Sequence, residues 1–128
     1  MKPETLTIIL PLPPRCLSPN WVSGSFGGRM ARAAATKKYR RQAKEASEAE
    51  GIESGPWQKI EMQAHFYHKQ KRRRDGVNHN AMLKSAQDGI VDSGVAVDDD
   101  SVHWVTLEPE FSIDKVLSRV EITITRIL

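Results

Sequence analysis

At 128 residues the chain fits one domain, large enough to bury a core without disulfides or a structural metal. Its single cysteine, Cys16, excludes an internal disulfide, no Cys/His set has zinc-ligand spacing, and a reducing cytoplasm is the expected compartment. The net charge of +3 points only mildly to an anionic partner, and the proline-broken apolar run near Met1 reads as neither a signal peptide nor a membrane span.

Leu6 to Leu10 is a compact β-rich run stopped by Pro11, Pro13 and Pro14, and it predicts a first strand. Residues 15–28 hold Pro, Gly, Ser and Asn and predict a long loop. Its aromatics Trp21 and Phe26 are open to three roles: core burial, a dimer interface, or stacking on unpaired bases. Arg29 to Glu50 is rich in helix formers, with Gly51 as the stop. The first half of that helix is basic (Arg29, Arg32, Lys37, Lys38, Arg40, Arg41, Lys44) and its end is acidic (Glu45, Glu48, Glu50). This polarity opposes the helix dipole. It suits either a basic half laid on DNA phosphate or a solvated face of mixed charge.

Gln58 to His68 alternates, with Ile60, Met62, Ala64 and Phe66 on one face, and predicts a half-buried strand; His65 and His68 are expected to face water near its end. A polar loop over 69–78 leads to Asn78, a good N-cap for a helix reaching about Ser93 and stopped by Gly94. Met82, Leu83, Ala86 and Ile90 form its apolar stripe, while Lys84 and Asp88 stand one turn apart on another face. An acidic loop follows, then a strand near Val102 to Leu107, where His103 beside Trp104 reads as a packing residue. The last strand, Leu117 to Arg126, buries Val120, Ile122 and Ile124. The order predicts a single small α/β domain, a mixed β-sheet with two main helices packed on it.

The densest chemical signal lies between Lys71 and Asp100. Lys71, Arg72, Arg73 and Arg74 run directly into Asp75, and Asp98-Asp99-Asp100 follows some twenty residues later. Phosphodiester cleavage needs such an arrangement. Hard oxygen ligands hold Mg²⁺ (or Mn²⁺), a nearby cation stabilises charge on the phosphoryl oxygens, and arginines hold the backbone. Taken singly, the aspartate triplet also suits a solvated turn and the basic run a solvated surface. His79 suits either a ligand or general base, or a solvated loop position; Asp88 and Asp92 suit charge balance for Lys84 and the helix end.

The stretches RRRDGVN, MLKSAQDGIVDSG and VAVDDD resemble the RusA family of Holliday junction resolvases over about thirty residues. The resemblance implies a RusA-like fold, a metal-dependent endodeoxyribonuclease acting on branched DNA, a homodimer, no small-molecule substrate, and a bacterial or phage-encoded protein. It implies that Asp75 is the first metal ligand, Lys84 the catalytic lysine, and Asp98 and Asp99 the acidic pair, with Asp99 the ligand and Asp98 and Asp100 in support. Lys71, Arg72, Arg73 and Arg74, with Lys37, Lys38, Arg40 and Arg41, are the expected DNA-binding cations. Where the family has its second aspartate this chain has Val77, which cannot bind a metal. Three outcomes are then open: Asp98 or Asp100 joins Asp75 and Asp99 as a metal ligand with waters filling the shell, Asn78 or His79 substitutes, or the chain is a catalytically impaired branched-DNA-binding protein.

Overall fold

The structure, a computed structural model, describes residues 4–21, 24–72, 74 and 76–128; Arg73 and Asp75 lie outside the described residues. Strand β1 (Thr5–Leu10) pairs antiparallel with β5 (Arg119–Arg126), and β5 pairs antiparallel with β2 (Ile60–His68). The other edge of β2 takes two short parallel strands in succession. These are β3 (Trp104–Thr106) beside its first half and β4 (Glu110–Ile113) beside its last. The result is the expected mixed sheet, with five strands.

The alternation in β2 does what it predicts: Ile60, Met62, Ala64 and Phe66 are buried, and the residues between them are half-exposed. With Leu6, Ile8, Val120, Ile122 and Ile124 they form one apolar face. Two helices cover it: α1 (Phe26–Ala49) through Tyr39 and Ala43, and the last helix (Lys84–Asp92, α3) through Ala86 and Ile90. Tyr39 donates its hydroxyl hydrogen to the Pro11 carbonyl at 2.7 Å and so ties α1 to the end of β1. No described helix is long and apolar enough to cross a membrane.

Helix α1 begins earlier than its composition suggests. Ser25 caps it by accepting the Gly28 N–H at 3.0 Å, so Gly27 and Gly28, poor helix formers, lie inside the first turn. The first buried residue is Tyr39, and Phe26 and Met30 are exposed. Trp21 is also exposed, so core burial is excluded for both loop aromatics. Gly51, at φ +66°, ends the helix as expected.

The single helix expected from Asn78 to Ser93 is two. Helix α2 (Gly76–Ala81) contains Asn78 rather than starting after it, and α3 starts at Lys84. The break at Met82 and Leu83 has a packing cause. Asn80 donates its side-chain N–H to the Leu107 carbonyl at 3.1 Å and holds α2 to the β3–β4 connection, whereas α3 follows α1. Two different partners impose two directions, and fully buried Leu83 is the pivot.

The strand expected over Val102 to Leu107 shortens to β3, because Asp100 closes Val102 and His103 into a turn. Strand β4 was not expected. It is four residues long, preceded by Pro109, and has no fully buried residue; only its pairing with β2 defines it.

His65 and His68 do not simply face water. His65 Nε2 lies 2.7 Å from Ser112 Oγ, and its ring stacks on Tyr67. His68 is half-buried among Phe66, Phe111 and His79. Burial first, then the positive charge of Arg74 and the neighbouring His79, push its pKa down to about 4. An unfolded chain therefore takes up a proton near pH 6.5 that the folded chain refuses until about pH 4. The stability linked to neutral His68 is complete above that upper value and is lost as pH falls towards the lower one. His68→Phe is expected to flatten the fall in Tm between pH 7 and 4.5, measured by thermal denaturation across that range. An unchanged slope would place the titration elsewhere.

Candidate active site

Lys84 is the first residue of α3, and its side chain turns towards the acidic loop that follows the helix. Its ammonium bridges two carboxylates, contacting Asp99 Oδ2 closely and Asp88 Oδ1 at 3.0 Å. The helix supplies the second contact by register, since Asp88 stands four residues on from Lys84. Asp88 in turn lies 4.0 Å from Arg40 of α1. Arg40 makes a two-pronged bond to Asp92 at 2.6 and 2.8 Å. A continuous chain of charge thus runs Asp99, Lys84, Asp88, Arg40, Asp92 and clamps α3 and its following loop to α1.

The pairing fixes protonation. The hydrogen bond from Lys84 holds the Asp99 carboxyl below the usual carboxylate range, and Asp99 in return pushes Lys84 above the usual lysine value, with Asp88 adding to both effects. Asp99 is largely shielded, at 16% side-chain exposure, whereas Lys84 is open to solvent at 64%. The site therefore presents an ammonium outwards on a recessed carboxylate.

The three consecutive aspartates diverge. Asp98 accepts the Asp99 amide N–H at 2.7 Å and fixes the loop that aims Asp99. Asp100 turns away: it accepts the amides of Val102 and His103 and pairs with His103 Nδ1 at 2.7 Å. His103 is thus a turn partner rather than a strand packing residue. Among the described residues no group of three or more His, Cys, Asp or Glu is placed to hold a metal ion. Asp75, the expected first ligand, lies outside the described residues. Val77 is 81% exposed on α2. Asn78 and His79 share that helix, and the His79 ring packs edge-on against Phe66 and Phe111 at 4.9 Å.

The expected DNA-binding cations fall into two kinds. Lys37, Lys38 and Arg41 are exposed on α1, and Lys71 and Arg72 on the segment after β2. Arg74 is half-buried and donates to the Gln70 carbonyl at 3.1 Å; Arg73 is not among the described residues. Arg40 is different, because Asp92 already holds its guanidinium. If the exposed cations contact DNA as expected, Lys38→Ala with Arg41→Ala weakens that binding and lowers its salt slope by about one to two phosphate contacts. Arg40→Ala should leave the slope nearly unchanged and lower Tm by a few degrees at most. Titrations at several salt concentrations, with thermal melts, separate the two.

Two features of the site escaped the sequence reading. Arg40 and Asp92 are 52 positions apart, and no local pattern joins them. Gly89 lets α3 approach the α1 backbone, and an isolated glycine in a helix carries no such message by itself. No protein-family model matches the chain, and no curated protein matches it either.

Proposed function

We propose that the protein is a metal-dependent endodeoxyribonuclease that resolves four-way DNA junctions by paired nicks, working as a homodimer in DNA recombination and repair. The observation that carries this reading is the Lys84–Asp99 pair. Fifteen positions apart, the two residues that the resemblance to the RusA family marks as catalytic lysine and acidic ligand meet at one point. The exposed cations of α1 and of the segment before Asp75 supply the backbone contacts that such an enzyme needs.

Asp98 and Asp99 offer carboxylate oxygens of the kind that Mg²⁺ or Mn²⁺ takes, although no larger ligand group is assembled among the described residues. Lys84 keeps the Asp99 carboxylate ionised, and Mg²⁺ is ordinarily bound by only one or two carboxylates with water completing its shell. Asp75 and Asp99 would hold the ion, with Asp98 in support. Such an ion, when bound, would supply activation of a water and polarisation of the scissile phosphate. The rest falls to the chain itself. Asp88 holds the Lys84 ammonium at the mouth of the site, where it neutralises charge gathering on the phosphoryl oxygens. Asp98 keeps Asp99 in place through its amide. Arg72 and Arg74 steady the backbone beside Asp75.

The test is cleavage of a labelled four-way junction with Mg²⁺ or Mn²⁺, beside linear duplex of matched sequence, by the wild type and Asp75→Asn. Paired nicks confined to the junction, and lost in the variant and without metal, are the expected result. Val77 favours a second reading, a junction-binding protein of the same fold without cleavage. An exposed valine stands where the resemblance calls for an aspartate. Tight junction binding without nicks, and no heat of Mg²⁺ or Mn²⁺ binding by calorimetry, would establish that reading instead.

A further inference from the structure

The end of β2, strand β4 and the basic segment form a cavity of about 230 Å³. Phe111, His68 and Ile113 line it together with Lys71, Arg72 and Arg74, and no carboxylate is among its described lining residues. The aromatic part is held firmly. The rings of His68 and Phe111 lie 6.4 Å apart at 23°, Phe66 stacks on Phe111 at 5.6 Å, and His79 packs edge-on against all three. His68 contributes a flat ring to this lining. Its Nε2 is buried with no hydrogen-bond partner among the described residues.

We propose that this cavity receives one unpaired nucleobase, with the flanking phosphates on Lys71, Arg72 and Arg74. The inference rests on the nucleic-acid reading above and names the part of a branched substrate that this face recognises. Flat aromatic walls beside clustered cations are the combination that holds single-stranded nucleotides, because every base has a π-face and every linkage a charge. The volume is below the roughly 300–1,000 Å³ of pockets for drug-sized ligands, which suits one planar ring system. Arg74 lines this cavity, Gly76 lines a neighbouring one that shares Phe111, and the two residues flank Asp75 in the chain. Bases in continuous duplex are stacked and paired and cannot enter, whereas a branch point offers bases free of both constraints. The cavity thus selects branched over linear DNA.

The test uses the isotopically labelled full chain and a thymidine trinucleotide, followed by NMR at the His68 and Phe111 rings. Saturable shifts at both rings, absent with inorganic phosphate alone, are expected. Phe111→Leu should weaken trinucleotide binding by about tenfold. Ile113→Glu, a change at a half-exposed position that avoids the core, should do the same by placing a carboxylate among the cations. Unmoved rings, or shifts reproduced by phosphate alone, would overturn the proposal even if junctions are cleaved. Ring shifts in a protein that neither binds nor cuts junctions would sustain the cavity assignment and remove the resolvase reading instead.

Discussion

Asp99→Asn is expected to lower junction cleavage by about two orders of magnitude or more while leaving junction affinity within a few-fold. The substitution keeps the shape of the side chain and removes its charge. Asp99 is the most shielded of the carboxylates that contact Lys84, and the ammonium holds it ionised. An amide there neither binds a divalent cation well nor fixes the ammonium. Lys84 would still be held by Asp88, so the variant separates loss of the carboxylate from loss of the cation. Lys84→Met supplies the opposite half. If the two act as one unit, the double variant should be barely worse than either single one. Gel assays under single-turnover conditions, with binding measured in Ca²⁺, give both quantities. Cleavage by Asp99→Asn at near wild-type rate would remove Asp99 from the reaction. A matching collapse in affinity would mean that the loop serves binding rather than chemistry.

What the sequence revealed depended on the range of the interaction. Strands β1, β2 and β5 were legible because their signals are local: a compact apolar run stopped by prolines marks β1, Val120, Ile122 and Ile124 mark β5, and Ile60, Met62, Ala64 and Phe66 declare their face without reference to any partner. The same holds for the stops at Gly51 and Gly94, both at positive φ. The Lys84–Asp88 neighbourhood followed from helical register. Strand β4 and the break between α2 and α3 were not legible, because each is imposed by something distant in the chain. Phe111 pairs with Phe66, and Asn80 reaches Leu107. Arg40 shows the limit for function: its place in a basic run reads as DNA contact, while the fold directs it to Asp92. The separate uses of Asp98, Asp99 and Asp100 are of the same kind, since three identical residues in a row carry no local signal of which way each will turn.

Gly89→Ala is expected to be clearly destabilising. A Cβ at that position would lie 2.1 Å from the Arg40 carbonyl oxygen, 2.9 Å from Ala43 Cβ and 3.0 Å from the Lys44 nitrogen. Two of these three are backbone atoms, so no rotamer change relieves the contact and α1 and α3 must separate. Overpacking of this sort costs about 1–3 kcal/mol, which exceeds the gain of up to about 1 kcal/mol from replacing a helical glycine by alanine. Gly27→Ala, in the same chain but with nothing within 4 Å of its Cβ, should therefore shift stability in the opposite direction. Chemical denaturation of the two variants measures the contrast. The consequence for activity is specific. Separating the helices draws Asp88 and Asp92 away from Arg40 and carries Lys84 with them, so any folded fraction of Gly89→Ala should cut junctions slowly yet bind them through the exposed lysines of α1. Full activity in a Gly89→Ala protein of wild-type stability would show that α3 does not need this close approach, and that the charge chain from Asp92 to Asp99 is not what positions Lys84.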